Sequence, residues 1–166
     1  VKFHSIDTSD LDLTELRGDQ YLKNIFTQYV PAILSSLNLE IPAKNTAVIG
    51  ASMGGLATLY AGIQHPDQMA TLLALSTHWP IGKNRLVERM IGELPLPGTH
   101  KIWMSRGTKG LDRSYPPFQD YADRLMQEKG YQIGQNFVSK VYEKSGHNER
   151  SWAKYLDQTM KFWLSK

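Results

Sequence analysis

Apolar positions first take on a helical rhythm at Gly18. Tyr21, Leu22, Ile25, Phe26, Tyr29, Val30, Ile33, Leu34 and Leu37 recur at helical spacing, which predicts a helix of about five turns. Pro31 falls inside it and removes one backbone donor, so a kink is expected there. Residues 1–17 carry little periodicity and read as an entering loop. After the loop "LEIPAKN" the rhythm changes. "TAVIGAS" (46–52) is short and too apolar to have a solvated face, as expected of a buried parallel strand. Gly54 to Gln64 then reads as a helix whose small residues let it lie close on that strand. "MATLLALS" and "KIWMSRGT" are two further apolar strands, separated by turn residues and one short helix in "HWPIGKNRLVERMIGELPLPG". Pro116 to Lys129 is an amphipathic helix stopped by Gly130, and "NFVSKVYEK" is a fourth strand with better alternation. Glu149 to Leu164 reads as a closing helix with Trp152, Tyr155, Leu156 and Trp163 turned inward.

Strand and helix alternate along the whole chain, which predicts an α/β fold: one domain over residues 1–166, with a mostly parallel sheet flanked by helices on both faces. No internal repeat, low-complexity tract or linker interrupts it. "TAVIGAS" lacks the charge, Pro or bulge that usually blunts an edge strand, so neighbours on both of its sides are expected. The sheet is accordingly expected to lack its N-terminal strands in this chain, its open edge covered by an upstream segment or by a second copy in a homodimer. The opening Val1, in place of an initiator Met, fits the C-terminal part of a longer domain.

Composition narrows the chemistry. With 41% hydrophobic and 21% charged residues, 166 residues suffice for a real core and argue against wholesale disorder. The net charge of +3 is spread without a phosphate-tracking run, so nucleic acid is not an expected partner. The absence of cysteine excludes a disulfide framework, a thiolate nucleophile and a Cys-ligated metal. There is no H-E-x-x-H motif and the histidines are dispersed, so no metal or cofactor is expected. No apolar run approaches the ~20 residues needed to cross a bilayer, and no membrane partner is expected. "VKFHSIDTSD" has no signal-peptide core, and localisation is not legible.

The chemistry-bearing stretch is "VIGASMGGLA" (48–57). Gly50-Ala51-Ser52-Met53-Gly54 matches G-x-S-x-G between a predicted strand and a predicted helix, the context in which a sharp turn lifts a serine hydroxyl above the sheet. Glycines two positions either side are expected because side chains there would clash across the turn. The Met53 N–H would face an oxyanion, helped by the partial positive charge of the helix N-terminus.

A serine needs a base. His4 lies in the entering loop, His65 closes the helix after the serine, His78 follows the second strand and His100 begins the third. His147, in "KSGHNERSW" after the fourth strand, occupies the loop from which an open parallel sheet supplies such a base. The chain order Ser, acid, His points to Asp112, in the loop after the third strand, as the group that fixes the imidazole tautomer. An Asp in such a loop is also a candidate N-cap. Asp120 and Asp123 read as solvent-facing. Trp79, Trp103 and Trp152 are candidates for an aromatic acyl pocket, or for the core.

"GASMGGLATLYAGIQHPDQM", "SRGTKGLDRSYPPFQDYADRLMQEKGY", "SGHNERSW" and "RGDQYLKNIFTQYVPAIL" together resemble the Putative esterase branch of the α/β-hydrolases, which includes esterase D-like and enterochelin esterase-like proteins. The resemblance runs from Gly18 onward. It implies a carboxylic ester hydrolase working through an acyl-enzyme, with Ser52 as nucleophile, His147 as base and Asp112 at the acidic position. A small-molecule ester is the implied substrate, either a simple ester or a siderophore-type lactone. The alternative is a non-catalytic hydrolase-like binding module or inactive fragment, because relatives in this branch carry further strands ahead of Gly18 and draw a second oxyanion donor from them.

Overall fold

The computed structural model describes residues 18–98 and 100–165. The loop reading of residues 1–17, with His4, lies outside them. The chain divides into two compact units, Val1–Glu40 and Ile41–Lys166.

In the first unit the predicted helix runs as α1 (Gly18–Asn24), a π-helical stretch (Ile25–Tyr29) and α2 (Val30–Ser36). The expected perturbation by proline takes the form of widening. The Val30 N–H donates five residues back to the Ile25 carbonyl, immediately ahead of Pro31, which cannot donate and whose ring crowds the preceding turn. Leu22 and Phe26 are buried, whereas Tyr21, Tyr29, Ile33 and Leu37 are more than half exposed. The apolar stripe read from the spacing is therefore only partly buried among the described residues.

The second unit is built on four parallel strands, β1 (Ala47–Ala51), β2 (Thr71–Leu75), β3 (Lys101–Gly107) and β4 (Phe137–Tyr142), in the order β1-β2-β3-β4. All four lie where the apolar runs put them. Between them run α3 (Met53–Gln64), α4 (Lys83–Glu93) and α5 (Pro116–Glu128). Sequential strands joined by right-handed crossovers bring their connecting helices to one face of a sheet. Here α3 packs on β1 and β2, and α5 reaches β3 and β4 through Gln119 on Met104 and Asp123 on Ser139. Asp123 is thus turned toward the sheet rather than to solvent, and burial raises its pKa; Asp120 is exposed as expected.

The chain after β4 is not a crossover and covers the opposite face. The single closing helix expected there is two, α6 (Glu149–Ala153) and α7 (Leu156–Leu164). Leu73, Leu75 and Trp103 form the core on this face, with Trp152, Met160, Phe162 and Trp163 packed against them. Leu156, expected to point inward, is 41% exposed, because the break at Lys154–Tyr155 resets the helical phase. Lys101 fastens the end of α7 to the start of β3: its ammonium donates to the carbonyls of Phe162, Trp163 and Ser165 at 2.8, 3.2 and 2.7 Å. A cation at the carbonyls of a helix C-terminus also complements the helix dipole.

β1 pairs with β2 alone among the described residues. Its Ile49 is 44% exposed, although Ala47 and Ala51, on the same face, pack against the core. The strand that its composition assigns to a sheet interior is here an edge. Leu73, at 1% exposure, and Ile49 are aligned across the β1–β2 ladder and make a direct comparison. Leu73→Ala is expected to cost about 2–5 kcal/mol, and Ile49→Ala less than about 1 kcal/mol. Urea midpoints at unchanged m-value measure both; similar losses at the two positions would mean that the β1 edge is covered in solution.

Candidate active site

Ser52 sits between the end of β1 and the start of α3 with φ 60° and ψ −120°, a conformation that costs a non-glycine residue of the order of 1–3 kcal/mol. The turn is held by the Ser52 N–H, which donates to the Leu75 carbonyl at 2.9 Å, and by the Ser52 carbonyl, which accepts from His78 N–H at 3.2 Å. A Cβ on Gly50 would lie 2.2 Å from the Gly54 carbonyl oxygen, so glycine is obligatory there. A Cβ on Gly54 meets nothing outside its own helix. The second steric requirement instead falls one residue later, at Gly55, whose Cβ would stand 2.8 Å from Thr77 Oγ1. Met53 is the first residue of α3, where backbone N–H groups have no intrahelical acceptor.

Asp112 lies in the 3-10 turn Gly110–Ser114 after β3 and is completely buried. It is not an N-cap. Its Oδ1 meets His147 Nδ1 at 2.5 Å, and its Oδ2 accepts from the Gly107 N–H at 2.6 Å and the Ser76 hydroxyl at 2.7 Å. A buried carboxylate needs such donors, since each missing one leaves charge without compensation. With the carboxylate accepting throughout, His147 Nδ1 carries the proton and Nε2 presents its lone pair.

Two loops must meet for this pair to form, and backbone contacts bring them together. The Ser145 carbonyl, in the loop before His147, accepts from Thr108 N–H at 3.0 Å and Lys109 N–H at 2.9 Å, in the loop before Asp112. A Cβ on Gly107 would fall 2.3 Å from that carbonyl oxygen and 3.0 Å from Asp112 Oδ2. Behind His147, the Asn148 side chain caps α6 by accepting from Ser151 N–H at 3.0 Å. The Gly146 N–H donates to Ser151 Oγ at 3.1 Å, so the loop is tied at both ends.

The His147 ring stands edge-to-face with Trp152 (centroids 5.1 Å) and Tyr115 (5.6 Å). Tyr115 is fully buried and its hydroxyl meets His78 Nδ1 at 2.7 Å. Burial, reinforced by the Asp112 charge, pushes the Tyr115 pKa up. The phenol therefore keeps its proton, and its hydroxyl shares one hydrogen bond with His78 Nδ1. Burial first, and the neighbouring His147 second, lower the pKa of His78.

Asp112 and His147, 35 positions apart, are joined directly, and Ser52 follows β1, with β2 between it and β3; it is tied to Leu75 of β2, whose neighbour Ser76 binds Asp112. No hydrogen bond joins the Ser52 hydroxyl to His147 among the described residues. Trp79 is a correction: it is 0% exposed, with its indole N–H donating to Gln119 at 3.2 Å, and belongs to the core rather than to an acyl pocket. Trp103 is likewise core. Trp152 lines a cavity of about 10 Å³ behind the acid loop, room for one water rather than an acyl chain. His100 lies just before β3 and binds the Pro66 carbonyl at 3.0 Å. Sequence reasoning missed Ser76, Gly107 and Tyr115. Gly107 ends its strand beside a Thr and could have been read as a close-approach glycine. A serine at φ +43° leaves no such mark.

The model of the family described as Putative esterase matches residues 8–163. Protein YbbA of Bacillus subtilis (strain 168) is 25% identical over 154 residues, covering 89% of this chain and 60% of YbbA. Among solved structures, the enterobactin esterase FES of Shigella flexneri in the presence of 2,3-Di-hydroxy-N-benzoyl-serine superposes with a TM-score of 0.67 at 22% identity, over 89% of this chain and 38% of that one. The siderophore hydrolase EstA of Aspergillus nidulans gives 0.56 at 18% identity, over 87% and 56%. This chain thus spans less than two thirds of the length of each.

The lowered pKa of His78 carries a sign. A histidine harder to protonate when folded lets the unfolded chain bind the extra proton first, so this component of stability is intact above the ordinary value of about 6.5 and is lost as pH falls through it toward the folded value. Between about pH 7.5 and 5 the wild type is therefore expected to lose more of its urea midpoint than His78→Gln. Parallel curves would show that His78 titrates as if unfolded.

Proposed function

The chain belongs to the Putative esterase family, and from that premise we propose that it is a serine carboxylic ester hydrolase in which Ser52, His147 and Asp112 act as nucleophile, base and orienting acid. The observation that carries the reading is the His147–Asp112 contact at 2.5 Å, with Ser52 held at φ 60° in the turn between β1 and α3 of the same sheet.

In this mechanism His147 Nε2 takes the Ser52 proton as Oγ attacks the ester carbonyl. The imidazolium is held by Asp112 and then gives that proton to the departing alcohol, leaving an acyl-serine. Water, deprotonated by the same imidazole, releases the acid and restores Ser52. The Met53 N–H at the start of α3 stabilises the oxyanion in both halves. Loose nucleophile–base geometry without substrate is common and tightens in the Michaelis complex. A simple ester or a siderophore-type lactone is the proposed substrate class. The second is supported by fold likeness to an enterobactin esterase and a siderophore hydrolase.

Nucleophile and base act as a unit, so their losses do not add. Ser52→Ala and His147→Ala are each expected to cut hydrolysis of an activated phenyl ester by about 10⁴-fold. The double variant should be little worse than either, and Asp112→Asn should cost less. Steady-state kinetics decide: a His147→Ala protein with wild-type turnover would place the base elsewhere, with His78 the next candidate.

A further inference from the structure

Asp112 Oδ2 is held by a line of donors that begins on α6. Trp152 Nε1–H donates to Ser76 Oγ at 3.0 Å, and the Ser76 hydroxyl donates to Asp112 Oδ2 at 2.7 Å. An indole N–H can only donate. It therefore occupies the acceptor side of the Ser76 hydroxyl and leaves the hydroxyl proton for the carboxylate. Ser76 is itself fixed: it is buried, has φ +43° and donates its backbone N–H to the Ser105 carbonyl at 2.6 Å. The same indole packs edge-to-face on the His147 ring at 5.1 Å. Trp152 thus meets the Asp112–His147 pair twice, once through Ser76 and once through its ring.

We propose that Trp152 and Ser76 are positioning residues that set the orientation and basicity of His147 through Asp112, an inference that rests on the ester-hydrolase reading of the site. The donors on Oδ2 fix the plane of the carboxylate so that Oδ1 faces Nδ1, and they draw off part of its charge. Without them the carboxylate can turn and leans more heavily on the imidazolium. The base is then misaligned and stays protonated to higher pH. Neither residue needs to touch substrate for this, and the cavity beside them, of about 10 Å³, has no room for one.

Trp152→Phe keeps an aromatic ring beside His147 and removes the indole donor, whereas Ser76→Ala removes the hydroxyl. Ser76→Ala is expected to lower kcat for an activated phenyl ester about tenfold, the size of one lost hydrogen bond to a charged group, and Trp152→Phe, which loses a bond to a neutral hydroxyl, by about threefold. KM should stay within about twofold, and the acid limb of the kcat/KM profile should move to higher pH. Because the two act in series, the double variant should match Ser76→Ala. The downfield proton resonance of His147 Nδ1–H should shift in both, whereas Trp163→Phe, an indole on the same face with no place in this line, should leave it unmoved. Wild-type kinetics and resonance in both variants would overturn the proposal, as would a raised KM with an unmoved resonance, which would make Trp152 a substrate wall. If the wild-type chain hydrolyses no ester, the enzyme reading fails and the resonance alone decides this one. If Ser76→Ala does not fold, Trp152→Phe carries the test.

Discussion

A single carboxylate, buried to the last atom, organises the end of the sheet. Asp112 has three donors on two oxygens: an imidazole, a backbone N–H and a hydroxyl. Removing a charge from water costs several kcal/mol even after relaxation, and only a complete set of donors makes the burial tolerable. That requirement explains the surroundings. Gly107 is bare so that the Ser145 carbonyl and the Asp112 side chain can both reach the end of β3. Ser76 accepts an unfavourable backbone conformation, and His147 is drawn in from a loop 35 positions further along the chain. The same bonds that neutralise the carboxylate fix the imidazole's tautomer, which is the tautomer the proposed base requires.

Ser52 is strained in a complementary way. Its positive φ is tolerated because both sides of its peptide are held: the N–H by the end of β2 and the carbonyl by the residue before Trp79. Gly50 gives the turn clearance, and α3 starts at the next residue. Strand ends therefore supply every member of the site, and the core beneath them supplies rigidity. Lys101, at the far end of β3, clamps α7 and so seats the helical pair that carries Trp152.

The apolar runs made the strands legible, because a parallel strand buried on both faces has no competing pattern in a chain this polar elsewhere. G-x-S-x-G made Ser52 legible, since the motif states a backbone geometry. Asp112 and His147 were legible from order along the chain, though their contact depends on the Ser145 carbonyl, which no spacing reveals. Trp79 misled because a large aromatic after a strand suits a pocket and a core equally, and only its bond to Gln119 separates the two. The open edge at β1 was legible, because its apolar composition calls for neighbours on both sides; among the described residues it has one, and Ile49 at 44% exposure marks the uncovered side. Leu156 failed because a two-residue break in a helix shifts its face without changing its composition.

All of these features converge on the claim that Ser52 is a nucleophile activated through His147 and Asp112. The most direct measurement is intact mass after exposure to a fluorophosphonate, which reacts with an activated serine without depending on the natural acyl group. A single adduct is expected, absent in Ser52→Ala and formed more slowly in Asp112→Asn. An adduct that persists in Ser52→Ala, or a wild-type chain that takes up none, would contradict the account.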